Sequence, residues 1–247
     1  MKVHKHFLYL ISLCTLLGAI SCQVVAQEKR AVKPPPSAQL NYSIRADVHG
    51  LVLDGSGQID WALREGQYQL LFETRTALTG VLLSEKSEGG LDRYGLAPNS
   101  YSTRRFRKEA LAISFDRTAG QINFAGNGAP HMIKGGEQDR VSVLWELLSI
   151  ARAKPDSFTQ GSSWQFFVAG HRAGEPWTFQ VKDRQHLSTA LGELDTLHLA
   201  HIPADKSSTT QVDIWLAPEK EWFPVRIRFS EPNGDYIEQS IEKISKK

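Results

Sequence analysis

Apolar and polar residues alternate along most of the chain after about residue 40. The alternation is clearest in six stretches: 42–48, 58–64, 67–73, 177–181, 212–216 and 223–229. In the first of them, Tyr42, Ile44, Ala46 and Val48 share one face. Such strands bury one face and expose the other, as antiparallel sheets do. The pattern predicts a mainly β protein with a large antiparallel sheet.

Turn residues separate these stretches. Arg64-Glu65-Gly66-Gln67 and Pro232-Asn233-Gly234-Asp235 have the composition of hairpin connections. The second contains an Asn-Gly pair, which tolerates the positive φ angles of tight hairpins. Both predict that the flanking strands pair directly with one another.

One segment has a helical period. Apolar residues recur there with the spacing i, i+3, i+4, i+7, at Val141, Leu144, Trp145, Leu148 and Ala151. Asp139 is a suitable N-cap and Pro155 ends the run. We predict a single substantial helix over 140–153 whose apolar stripe packs on the sheet. A helix that binds a partner protein is the alternative.

The first 26 residues have the layout of a secretory signal peptide. Lys2 and Lys5 precede an apolar run from Phe7 to Ile20, and the small residue Ala26 suits cleavage before Gln27. We therefore predict export to the periplasm. In the alternative, Ala19-Ile20-Ser21-Cys22 is a degenerate lipoprotein signal, and Cys22 carries a lipid anchor.

The predicted domain organisation follows from this signal. Residues 27–39 include Lys33-Pro34-Pro35-Pro36 and predict a short extended tether. Residues 40–247 form a single β-rich domain. No other apolar run approaches the length of a transmembrane helix, so membrane contact is expected only if Cys22 is lipidated.

Composition excludes several classes of function. Both cysteines, Cys14 and Cys22, precede the domain, so it has no disulfide framework and no thiol nucleophile. Removing Lys2 and Lys5 from the 29 basic residues leaves 27 against 27 acidic ones. A neutral domain has no general attraction to nucleic acid, which is not an expected partner.

The order of several segments resembles a family of exported proteobacterial proteins of unknown function. These segments are Ser87–Leu91, Gly95–Pro98, Phe115–Arg117, Asp139–Ser142, Leu191–Thr196, Ile214–Pro218 and Phe223–Ile227. The resemblance implies a periplasmic or envelope-attached β-protein and no particular reaction. A looser likeness is to envelope proteins with a sheet curled into a spiral or half-open barrel, including the lipoprotein-carrier fold. It implies the same curled architecture here.

No recognisable motif predicts catalysis, a metal site or a cofactor. His198 and His201 lie three apart on a predicted strand, so they point to opposite faces and cannot bind one metal together. Ser188 and Thr189 beside His186 resemble half of a catalytic triad, and a polar turn is the favoured interpretation. Asp183, Glu193 and Asp195 are close in sequence, but spacing alone does not define an acid–base pair.

The one basic cluster is the candidate binding site. Its members are Arg104, Arg105, Arg107 and Lys108, with Tyr101 just before them. These side chains could contact anionic lipid headgroups or the charged groups of cell-wall polymers. The alternative is a charged edge strand that resists aggregation.

These observations predict a noncatalytic periplasmic protein that binds an apolar or amphipathic envelope component and supports envelope integrity. A lipid, a glycan or another envelope component is the expected partner, and the oligomeric state is left open. Two alternatives are an envelope hydrolase with an unrecognised carboxylate site and a protein–protein scaffold. An apolar pocket without convergent ionisable groups favours binding, whereas two facing carboxylates in a cleft favour hydrolysis.

Overall fold

The computed structural model describes residues 29–78, 80–126, 128–203 and 210–247. The predicted signal peptide 1–26 and Cys22 lie outside the described residues. The described chain forms one sheet of fifteen strands and one α-helix, α1 (Ser142–Ala153). The strands are β1 (Ala38–Val48), β2 (Leu51–Arg64), β3 (Gln67–Thr76), β4 (Gly80–Asp92), β5 (Gly95–Arg105), β6 (Leu111–Asp116), β7 (Gln121–Asn123), β8 (His131–Met132), β9 (Gln138–Asp139), β10 (Ser163–Ala169), β11 (Gly174–Thr189), β12 (Gly192–Ile202), β13 (Gln211–Leu216), β14 (Pro224–Ser230) and β15 (Tyr236–Lys246).

The strands follow one another across the sheet almost in chain order. The order is β8-β7-β6-β5-β4-β3-β2-β1-β15-β14-β13-β12-β11-β10-β9. β1 and β15 therefore lie side by side near the middle: the chain runs outward from β1 to β8 and then returns from β9 to β15. β8 and β9 form the two ends of the sheet.

The sheet is antiparallel, as the sequence predicted, except at one pair of strands. Every neighbouring pair among the described strands is antiparallel except β9 and β10, which run parallel through Gln138–Asp139 and Val168–Ala169. Helix α1 lies between these two strands in the chain. Parallel neighbours need a long crossover connection of this kind, so the helix explains the exception.

The sheet curls around α1. Ten of the twelve helix residues are buried. The ring of Trp145 lies 5.9 Å from that of Trp61 on β2, while the carboxylate of Glu146 accepts a hydrogen bond from the backbone of Leu96 on β5. α1 also contacts β9 and β10 at the far end of the strand order. A helix can touch strands this distant only if the sheet bends around it, so the predicted curled, half-open architecture is confirmed.

The helix differs from its prediction in extent and in burial. It begins at Ser142, two residues later than predicted, because Asp139 Oδ1 accepts the backbone N–H groups of Val141 at 3.0 Å and Ser142 at 2.8 Å. The N-cap is therefore Val141 and not Asp139 as predicted, although the Asp139 carboxylate still binds the start of the helix. Burial extends beyond the apolar stripe to Glu146 and Ser149. The helix fills the concave side of the sheet, which leaves it no free face for a partner protein.

The predicted strands and turns are confirmed. All six alternating stretches lie in strands apart from Phe223, which immediately precedes β14, and Trp61, Phe179 and Ile227 are in the core. The β2–β3 turn has φ of 52° at Glu65 and 75° at Gly66, which suits a tight two-residue hairpin. Gly234 likewise has a positive φ in the β14–β15 turn.

The predicted tether 27–39 is shorter than expected. The backbone N–H of Lys33 donates to Ser149 O at 2.9 Å, and Arg152 Nε donates to Lys33 O at 3.0 Å. Trp61 Nε1 donates to Pro35 O at 3.0 Å. Residues 33–37 therefore pack against α1 and β2 as part of the domain, and β1 already begins at Ala38.

Candidate functional site

The main cavity lies where the two ends of the curled sheet approach one another. It has a volume of about 620 Å³. We call it the seam cavity. Its lining comes from the segment before β1, from β8 and the loop after it, from the C-terminal half of α1 and from β10: Lys29–Ala31, His131, Lys134, Glu137, Ile150, Lys154, Ser157, Ser163–Phe167 and Pro176.

One wall of the seam cavity is an open strand edge. β9 pairs with β10 only at Val168 and Ala169. The edge of β10 from Ser163 to Phe167 has no strand partner on that side among the described residues. Arg30 Nη2 donates to Gln165 O at 2.8 Å there. The sheet thus stops at a cavity that exposes both backbone and side chains of β10.

Aromatic rings form much of the cavity wall. Phe167 stacks on His131 of β8 with 3.8 Å between ring centroids. Trp164 stacks on Phe158 at 3.7 Å, and the guanidinium of Arg30 lies 4.5 Å from the centroid of Phe166. Rings stacked in this way present flat apolar surface to a ligand. The wall therefore suits an apolar chain or ring.

The rim of the cavity is mainly basic. Lys29, Arg30, Lys134 and Lys154 all line it. Glu137 is the only acidic group among the described lining residues, and its carboxylate accepts the backbone N–H groups of Lys134 and Gly135. Burial lowers the pKa of His131, which favours its neutral form. An anionic group bound at this rim would meet net positive charge. Glu137 is a single carboxylate that already accepts backbone hydrogen bonds, so the lining does not provide the two facing carboxylates expected of a hydrolase.

The sequence-predicted basic cluster lies elsewhere, on the connection between β5 and β6. Arg104, Arg105, Arg107 and Lys108 are all exposed there. Tyr101 differs from them: it is 1% exposed, its hydroxyl donates to Glu85, and its ring stacks on His171. Tyr101 therefore belongs to the core and does not share the surface of the four basic side chains.

The histidines form separate polar contacts. His198 Nε2 lies 2.8 Å from Asp213 Oδ1, and its ring stacks on Trp215, while His201 is buried against Trp177. The two histidines share no partner, as expected. No group of three or more His, Cys, Asp or Glu residues within the described ranges could hold a metal ion.

His186 is near acidic side chains but lacks the rest of a triad. Its Nδ1 lies 2.9 Å from Asp195 Oδ1, a hydrogen bond that raises the pKa of the exposed imidazole. The hydroxyl of Thr189 donates to Gly192 O at 2.8 Å within the hairpin turn. The contacts of Thr189 fit the polar-turn interpretation.

Comparison with known proteins identifies the family. The sequence matches the family described as Protein of unknown function (DUF3108) over residues 42–241. The chain belongs to the DUF3108 family. The resemblance to a family of unknown function is therefore confirmed. No curated protein matches the sequence.

Solved structures that are similar to this DUF3108 chain have low sequence identity to it, and one of them shares its fold. A beta-barrel-like protein of a domain of unknown function, DUF1849, from Brucella abortus has a TM-score of 0.56 and 11% identity, over 88% of this chain and 100% of that chain. The hypothetical lipoprotein YmcC from Escherichia coli has a TM-score of 0.32 and 12% identity, with 90% of both chains covered. A LolA superfamily protein from Nitrosomonas europaea has a TM-score of 0.25 and 13% identity, also over 90% of both chains.

In this DUF3108 domain, three of the segments that carry the resemblance meet in a buried polar network. Glu146 Oε2 accepts the backbone N–H of Leu96 at 2.7 Å, and Gln138 Nε2 donates to Leu96 O at 2.7 Å. Ser87 Oγ donates to Asp139 Oδ2 at 2.5 Å. The network thus ties strands β4 and β5 to the start of the helix. Sequence reasoning missed Glu146, because an acidic residue in a helix ordinarily marks the solvent face.

Both carboxyl groups of the network are sealed from solvent. Burial raises the pKa of Glu146 to about 8 and that of Asp139 to about 6, against the opposing effect of their backbone hydrogen bonds. Neither side chain has measurable exposure. A substrate could not reach them, so their role is structural.

None of the helices in the described ranges is long and apolar enough to cross a membrane.

We expect the stability of this DUF3108 domain to fall as pH rises from about 4.5 to about 8. The unfolded chain loses the Glu146 proton near its ordinary pKa, whereas the folded protein keeps it up to about pH 8. The stability contributed by the protonated form is thus fully present below pH 4.5 and lost through pH 8. Glu146→Gln should remove roughly 4 kcal/mol of this pH dependence. Urea unfolding at pH 5 and pH 8.5 measures it.

Glu242→Gln is the matched control, because Glu242 is exposed on β15. This variant should keep the wild-type pH dependence. Equal loss of stability with pH in Glu146→Gln and wild type would contradict the prediction. Asp139, whose pKa is also raised, should account for the dependence that remains at lower pH in Glu146→Gln.

Proposed function

We propose that this protein is a noncatalytic envelope protein that binds an anionic amphipathic molecule in the seam cavity. The observation that carries the proposal is the combination of an aromatic wall with a basic rim. Trp164 and Phe167 would contact the apolar part of the ligand, and Lys134 and Lys154 would face its anionic group. A cavity of about 620 Å³ is large enough for such a molecule.

The proposed binding site does not lie on the concave face of the sheet. Helix α1 occupies that face, and Trp145 and Leu148 are fully buried there. The remaining space lies at the seam, where the sheet is not closed. A ligand would therefore enter between β8 and β10 and contact the open edge of β10. Binding at an unclosed edge requires no rearrangement of the core.

We further propose that the protein acts in the periplasm and supports the envelope barrier. The support is the signal-like segment 1–26. Signal cleavage after Ala26 would release the domain, and lipidation of Cys22 would anchor it. The intact mass of the exported protein distinguishes the two.

Reversing the charge of the rim should weaken binding. We expect protein purified from its own periplasm to carry an amphiphile that native mass spectrometry detects. After delipidation, Lys134→Glu combined with Lys154→Glu should weaken binding of a fluorescent fatty acid by about three- to ten-fold, because two rim attractions become repulsions. A deletion strain complemented with this double variant should be more sensitive to bile salts than one complemented with wild type.

Lys243→Glu is the control, because Lys243 is exposed on β15 outside the cavity. It should bind the fatty acid like wild type. A neutral monoglyceride should bind the double variant and wild type equally, since it has no charge for the rim to attract. The proposal fails if no amphiphile co-purifies and the delipidated protein binds no fatty acid. Hydrolysis of an envelope ester or glycan by the purified protein would favour the hydrolase alternative.

A further inference from the structure

The exposed apolar side chains are concentrated at one end of the sheet. Ten large apolar side chains are exposed in the described part of the chain. Leu91 and Met132 lie elsewhere, at the other ends of β4 and β8. The remaining eight lie at or beside the turns that join β1 to β2, β3 to β4, β5 to β6 and β14 to β15: Leu51, Val52, Leu53, Leu78, Leu82, Phe106, Leu111 and Ile237.

Strand pairing places these turns together. β1 ends at Val48, opposite Leu51 of β2, and Asp47 lies opposite Tyr236, the first residue of β15. The backbone N–H of Phe106 donates to Leu82 O at 2.8 Å, which joins the β5–β6 turn to β4. We call this edge of the molecule the hairpin end.

Charge divides the hairpin end into two halves. Four exposed basic residues lie at the end of β5 and in the β5–β6 turn: Arg104, Arg105, Arg107 and Lys108. In this turn and the neighbouring β3–β4 turn (residues 104–111 and 78–83), the one acidic residue is Glu109. None of the four has an ion-pair partner among the described residues. Leu78, 98% exposed, and Phe106 lie in the same two turns. We call this half the basic tip. The other half, around Leu51 and Ile237, has Asp47, Asp54 and Asp235 instead.

We propose that the basic tip docks the protein onto an anionic lipid surface. The four cations would contact headgroups, and Leu78 and Phe106 would enter the headgroup layer. Exposed apolar side chains flanked by unpaired basic ones match both parts of such a surface. The sequence alone had left anionic lipid headgroups and cell-wall polymers as alternative contacts of these four basic side chains. This docking surface is separate from the seam cavity and does not depend on what the cavity binds.

Vesicle co-sedimentation of the protein purified after export tests the proposal. Wild type should bind vesicles of phosphatidylglycerol and phosphatidylethanolamine more tightly than vesicles of phosphatidylcholine, and the difference should shrink with added salt. Replacing Arg104, Arg105, Arg107 and Lys108 with Ser should reduce binding to the anionic vesicles about ten-fold or more. Leu78→Ser combined with Phe106→Ser should also reduce it. Because all six side chains are exposed, thermal stability should change little.

Leu51→Ser combined with Leu53→Ser is the matched control from the acidic half, and it should leave binding to anionic vesicles unchanged. A lipid on Cys22 would bind both kinds of vesicle alike, so the difference between them reports on the basic tip alone. The proposal is wrong if wild type binds neutral and anionic vesicles equally. It is also wrong if the control variant loses as much binding to anionic vesicles as the basic-tip variants do. Co-sedimentation with peptidoglycan but not with anionic vesicles would overturn it in favour of a cell-wall polymer. Fatty acid binding in the seam cavity should persist in the basic-tip variants.

Discussion

Trp145→Asp should leave the domain largely unfolded at room temperature. Trp145 is fully buried on α1, with its ring 5.9 Å from that of Trp61. Removing a large buried aromatic side chain costs about 3–5 kcal/mol. A carboxylate in its place adds several kcal/mol more, because the apolar core would bury its charge. Together these costs are comparable to the whole stability of a typical domain, about 5–15 kcal/mol.

Trp145→Phe is the control variant, which changes the same residue without adding a charge. Phenylalanine keeps an aromatic ring in the core, and the indole N–H that it removes has no acceptor among the described residues. We expect it to cost about 1–2 kcal/mol. Far-ultraviolet circular dichroism and thermal unfolding of both variants measure the difference. A folded Trp145→Asp domain with unchanged thermal stability would show that this face of the helix is exposed.

Gly95→Ala should destabilise the domain by about 3–5 kcal/mol. A Cβ atom at Gly95 would lie 2.2 Å from Glu146 Oε1, and φ at this residue is +115°. The buried carboxylate would have to move, which would break its hydrogen bond from the backbone N–H of Leu96. The cost thus combines backbone strain, overpacking and a buried N–H left without its acceptor.

Gly192→Ala separates the backbone contribution from the rest. Gly192 has φ of +98°, and a Cβ atom there would meet nothing within 4 Å. Only the strain of the positive φ applies, about 1 kcal/mol. Chemical denaturation of both variants gives the two free energies of unfolding. Similar costs at the two positions would show that Glu146 does not constrain the residue beside it.

The features that were predicted correctly from the sequence are those that a short stretch of residues determines by itself. Alternation identified the strands around Tyr42, Trp61 and Phe179 because each of them has one face in the core. The turn at Glu65 and Gly66 was predictable because few residues adopt its positive φ angles. The helix was predictable from its apolar spacing, whereas its N-cap is Val141 and not the predicted Asp139.

Features formed by segments that lie far apart in the sequence were not predictable. The seam cavity combines Arg30, His131, Ile150 and Trp164, and no spacing in the sequence shows that these residues meet. The burial of Glu146 follows from the sheet curling around all sides of the helix, whereas its sequence context resembles an exposed position. Short strands such as β8 and β9 contain too few residues to show a period.

The position of β1 and β15 determines when the sheet can be completed as the chain folds. Tyr42 lies opposite Ile241, so the two halves of the sheet join only after nearly the whole domain has been synthesised. Contacts this remote in sequence form slowly, because a long loop must be closed before they can form. Until β15 arrives, β1 has an open edge in the middle of the future sheet, where an incomplete chain can pair with another copy of itself. The cell must therefore hold this chain unfolded or protected until its last strand is made.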